Sequence, residues 1–106
     1  MDGYSIYKEK GHVKLLGHKY TFTEQENLAR DTKSIGISCG NAQYIRVDNS
    51  LPLSNKQSVL LHEILEQLDF LLEINLQHNQ ISMLEGGLFA VVRDNPGLFN
   101  FSTEDK

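Results

Sequence analysis

Between Leu60 and Leu72, apolar residues recur at Leu61, Leu65, Leu68 and Leu72, and Leu60, Ile64 and Leu71 widen the stripe. That spacing belongs to a helix, and a stripe this broad is a core-facing one. Such a helix needs a surface to cover, and the segment before it reads as a sheet. VKLL from Val13, a Gly17-His18 turn and KYTFT suggest a strand or two, with Tyr20 and Phe22 on one face and Thr21 and Thr23 on the other. Glu24 to Lys33 is polar and reads as a loop or short helical turn. In SIGISCGNAQYIRVDNS, Ile35 and Ile37 alternate with Ser34, Gly36 and Ser38. Gly40-Asn41 has turn chemistry because both residues accept positive φ. Tyr44, Ile45 and Val47 supply the returning strand, and Pro52 forbids its continuation as a central strand.

Ser54 is a good N-cap for a first helix beginning at Asn55. Asn75 to His78 interrupts the pattern. A second helix follows on Ile81, Leu84, Leu88 and Val91, with Val92 beside them, and Asp94-Asn95-Pro96-Gly97 stops it. Gly86-Gly87 falls inside that helix, where it would permit close packing against a neighbour. The expected fold is α+β: a small antiparallel sheet or hairpin followed by two packed helices, the first covering the sheet and the second lying against the first. One domain is expected over 1–106, with 1–10 and 98–106 loosely ordered.

The 106 residues suit one domain with one modest core. A net charge of −4, with scattered basic residues, gives no attraction to nucleic acid or an anionic membrane. No apolar run approaches the roughly 20 residues of a membrane span, and MDGYSIYKEKGHVKLLG lacks the apolar core of a secretory signal. The single cysteine, Cys39, can form neither an internal disulfide nor a Cys-based zinc site. These features read as a cytoplasmic protein of undetermined oligomeric state.

The chemistry lies on the polar side of the first helix. His62 and Glu66 stand at i and i+4 and project from one side, one turn apart, so both can reach one metal ion. Glu63 lies about 100° round from His62, where the corresponding glutamate of zinc peptidases sits beside the metal-bound water and takes its proton. Asp69 and Glu73 continue the stripe. An ordinary polar helix face built on Ser58, His62, Glu66, Asp69 and Glu73 accounts for the same residues. Zinc hydrolysis requires three protein ligands and an open position. His78 at the start of the second helix, or Glu85 two turns later, could supply the third. His78 gives two imidazoles and one carboxylate, suits zinc, and is the expected third ligand. Glu85 gives two carboxylates, suits manganese or iron better, and could instead orient an imidazole from behind.

The stretch HEILEQLDFLLEINLQHNQISMLEGGLFAVVRDNP resembles the small metallopeptidases encoded by phages and prophages, which are minimal zincins related by pattern to the ImmA/IrrE-like peptidases. The resemblance runs from about Lys19 to Pro96, and its specific part is the C-terminal half, ending in GGLFAVVRDNP. It implies a zinc-dependent peptidase fold in a bacterial host's cytoplasm. His62 and Glu66 would be ligands, Glu63 the base, and His78 a match to a histidine-bearing position in members with the His-Glu-x-x-Glu variant. The partner implied is a peptide or protein substrate.

Other polar residues read more simply. His12 and His18 are surface histidines, and Cys39 lacks a histidine-aspartate arrangement that would make it a nucleophile. Tyr44 is core or rim, or an oxyanion donor if its strand edges the site. Arg93 suits a helix C-terminus. The rival reading of the whole chain is a catalytically inactive, zincin-like binding module. It would meet a regulatory protein through its acidic charge and the LFNF segment.

Overall fold

Two hairpins, a short helix and a pair of long helices make up residues 11–101, the part of the chain that this computed structural model describes. The first hairpin joins β1 (His12–Leu15) to β2 (His18–Gln25). Leu15 pairs with His18, so the turn is Leu16-Gly17, one residue earlier than expected. Both turn residues have positive φ, as a two-residue hairpin turn requires. The register is set by burial: Leu15, Tyr20 and Phe22 all enter the core. The polar stretch that follows holds the short helix α1 (Leu28–Thr32), whose Leu28 is fully buried.

The second hairpin joins β3 (Gly36–Cys39) to β4 (Tyr44–Asp48). Gly40 is needed there for space: a Cβ on it would run into the Phe70 ring. The positive-φ residue of the connection is Gln43, not Gly40 or Asn41. The two hairpins lie side by side in the order β1-β2-β4-β3. Their inner strands run parallel, with Phe22 opposite Ile45, so the sheet is mixed, with antiparallel outer pairs. Tyr20, Phe22, Ile45 and Val47 form its buried centre, and β3 is an outer strand.

The α+β arrangement holds: α2 (Leu53–Leu72) covers the sheet, and α3 (His78–Asp94) packs against α2. Helix α2 starts two residues before Asn55. Pro52 is its N-cap, with φ −58°, and Ser54 lies within the first turn rather than capping it. The face that α2 turns to the sheet also differs from the leucine stripe. Its buried residues are Lys56, Val59, Glu63 and Gln67. Leu60, Ile64 and Leu71 are only partly buried at the core, and Leu72 is exposed. Each buried polar group has a partner. Lys56 Nζ donates to Glu24 Oε1 at 2.8 Å, and Glu63 and Gln67 bond within the layer described below. Burial of such groups is tolerable only on that condition.

Glu73, with positive φ, ends α2, and Asp69 Oδ1 accepts the Leu76 N–H at 2.9 Å to fix the connection. Gln80 Oε1 then accepts the Gln77 N–H at 2.8 Å and secures the start of α3. In α3 only Ile81 is buried. A Cβ on Gly86 or Gly87 would meet nothing, so these glycines do not serve contact with α2, contrary to the reading from sequence. Residues 96–99 form a turn. Of the loose order expected at 1–10 and 98–106, residues 1–10 and 102–106 lie outside the described residues. No helix among those residues is long and apolar enough to cross a membrane.

Candidate metal centre

The i, i+4 spacing on α2 and the antiparallel return of α3 bring His62, Glu66 and His78 together. One ligand atom from each lies within 4.8 Å of the others. His62 Nε2 is 3.0 Å from Glu66 Oε2, and the His62 and His78 rings stand edge to face with centroids 5.4 Å apart. Donors about 2.0–2.2 Å from a tetrahedral zinc stand roughly 3.3–3.6 Å from one another. Side-chain movement on the order of 1 Å would therefore close the three around an ion. Two imidazoles and one carboxylate are a donor set that zinc favours.

Glu85 takes the other side of the same ring. His62 Nδ1 is 2.8 Å from Glu85 Oε1, and the Ser58 hydroxyl donates to Glu85 Oε2. With both oxygens engaged, Glu85 stands behind His62 as an orienting carboxylate. The ring faces a carboxylate from each nitrogen, and it can donate to both only as imidazolium. Burial pulls the His62 pKa down, but the Glu85 hydrogen bond and the charges of Glu66 and Glu63 outweigh it, and the net shift is upward.

Glu63 reaches from α2 toward the sheet. Its Oε1 accepts the Ser38 hydroxyl at 2.6 Å, and Ser38 Oγ accepts Gln67 Nε2–H at 2.9 Å. Gln67 Oε1 in turn accepts the Tyr20 hydroxyl at 2.8 Å. This chain of donors runs from the sheet centre to the carboxylate and fixes its rotamer. Burial pushes the Glu63 pKa up, and the Ser38 bond only partly opposes that rise. Glu63 Oε2 faces Gly36 on β3, where a Cβ would lie 3.1 Å from that oxygen and collide with Val59. A cleft of about 380 Å³ opens beside them, lined by Ile35, Gly36, Val59, His62, Glu63 and Glu85 among others.

Asp69 accepts a bond in the α2–α3 connection and Glu73 is the C-cap of α2, and neither is one of the three clustered donors. His12 lies on β1, at the opposite edge of the sheet from β3, and His18 Nδ1 contacts Gln43 Nε2 at 3.1 Å. Cys39 Sγ accepts the Ala42 N–H in its turn. The Tyr44 ring lies under the Arg46 guanidinium, 4.0 Å from it. Arg93 pairs with Asp94 at 3.1 Å. In the sequence Tyr20 and Ser38 show only as strand positions, Ser58 only as part of a polar helix face, and Gln67 carries no site signal of its own. One signal was available: Gln67 follows Glu63 by one turn, so the two share a face.

No protein-family model, curated protein or solved structure matches this chain.

Proposed function

We propose that this chain is a zinc-dependent hydrolase of the peptidase type, with His62, Glu66 and His78 as ligands and Glu63 as general base. The observation that carries the reading is the convergence of three donor atoms from two helices to within 4.8 Å, on a helix that also bears a buried glutamate beside an open cleft. Zinc held by these residues would supply Lewis-acid polarisation of a carbonyl and a water whose pKa is lowered to about 7. The chain's own residues supply the rest. Glu85 holds the His62 ring in one orientation. Ser38 holds one oxygen of Glu63 and leaves Oε2 to accept a proton from the attacking water. Glu63 then returns that proton to the leaving amine. The upward shift of its pKa, caused chiefly by burial, favours taking up and carrying that proton.

A peptide or protein substrate is supported by the edge of β3. Asp48 N–H donates to the Ile35 carbonyl at 2.9 Å, so Ile35, Ile37 and Cys39 bond inward to β4. Alternation then directs the main-chain groups of Gly36 and Ser38 to the free edge beside the cleft, where an extended chain can pair. The resemblance to phage and prophage metallopeptidases and the lone thiol Cys39 suit a cytoplasmic setting in a bacterial host.

The test is metal content. Protein purified without added metal should carry one zinc per chain by elemental analysis, and a His62→Ala variant should carry none. A wild-type chain with no zinc, and no thermal shift when zinc is added, overturns the hydrolase and leaves a binding module on the same fold.

A further inference from the structure

Helix α3 has 17 residues, and one of them is buried. On its outward side Met83, Leu84, Leu88 and Val91 are 40–66 % exposed, and Leu98, Phe99 and Phe101 beyond the helix are 48–76 % exposed. At roughly 200 Å² for each large apolar side chain, these seven leave on the order of 700–800 Å² uncovered. That is close to the roughly 800 Å² each partner contributes to a standard interface.

Gly87 lies at the centre of the helical part. Met83 is four residues before it and Val91 four after, so all three fall on one line along the helix. A glycine inside a helix weakens it relative to alanine. Nothing among the described residues requires one here, because a Cβ would meet none of their atoms within 4 Å. The gap it makes in an apolar ridge lets another helix approach closely.

We infer that this face docks a second copy of the chain, two α3 helices crossing antiparallel at Gly87 on a two-fold axis. The symmetry of the patch selects that occupant. With Gly87 on the axis, Met83 of one protomer meets Val91 of the other, and the reverse, as a self-complementary interface requires. The antiparallel arrangement sets the Arg93-Asp94 end of one helix beside Asn79 and Gln80 of the other, so no like charges are opposed. It also opposes the two helix dipoles favourably.

Sedimentation equilibrium of the full chain tests this, with Gly87→Leu and Val91→Glu variants. Wild type should be a dimer with a Kd of about 10 µM or tighter. Each variant should weaken dimerisation at least about 30-fold while keeping the wild-type circular dichroism spectrum. Gly87→Leu is the sharper probe, because it improves the helix and fills space that is open in the monomer. A wild type that stays monomeric overturns the inference, as does a dimer that persists in either variant.

Discussion

His62 Nδ1 lies 2.8 Å from Glu85 Oε1, a contact that ties the middle of α2 to the middle of α3. Through it the ring's other nitrogen faces Glu66, with the His78 ring alongside. Glu85 thus sets the direction of a proposed ligand without touching the ion. Glu85→Gln keeps a hydrogen-bonding group in place but removes the charge. Zinc affinity should fall about 10–100-fold, measured by competition with a chromophoric chelator. An unchanged affinity would remove Glu85 from the site.

Glu63→Gln should separate binding from turnover. The amide can still accept the Ser38 hydroxyl, and it no longer places a buried charge against the sheet. The variant should bind zinc as wild type does and melt no lower. Hydrolysis of a peptide library, followed by mass spectrometry, should drop by about 10²–10⁴. A variant that cleaves at the wild-type rate dismisses the base.

The glycines give a paired test of stability. Gly36→Ala drives a Cβ into Val59 and toward Glu63, and should cost about 1–3 kcal/mol in urea unfolding. Gly86→Ala meets nothing and removes a helix-weakening residue, so it should add about 0.5–1 kcal/mol. Equal effects at the two positions would contradict the packing described for β3 and α3.

Asp48 should govern acid stability near the start of α1. It accepts the Ser50 hydroxyl at 2.6 Å and the Ala29 N–H at 2.7 Å. The Ser50 bond is the largest influence on its pKa. Burial opposes it, but the backbone bonds and the Lys56 charge add to it, and the net shift is below the ordinary 3.8. A carboxyl with a depressed folded pKa stabilises the fold above its unfolded value, and that contribution is lost as pH falls through the folded one. Asp48→Asn should therefore cost about 1.5–3 kcal/mol at pH 7. In urea titrations the gap from wild type should narrow below the ordinary 3.8. A gap that stays constant into acid would contradict the assignment.

Much of this architecture could be read from the chain. Alternation marked both hairpins, and the leucine spacing marked α2, because side-chain periodicity is a local property of strand and helix. His62, Glu63 and Glu66 were visible as a spacing on one helix. What local pattern could not supply was the partner of each face. Leu61, Leu65 and Leu68 looked like the line buried on the sheet, yet Lys56, Val59, Glu63 and Gln67 hold that line. Polar groups could go there because Glu24, Ser38 and Tyr20 meet them from the strands. Those partners stand 25 to 47 residues away in the chain.

Local pattern was enough to specify the order and kind of the elements and one turn's worth of polar groups on α2, since these depend on residues a few positions apart. Only packing in three dimensions set the inner strands parallel, put both oxygens of Glu85 to use on His62 and Ser58, and left the apolar side of α3 uncovered. Those outcomes depend on how hairpins and helices far apart in the chain pack together. Hydrophobic burial drives such packing without direction, and specific hydrogen bonds then fix it.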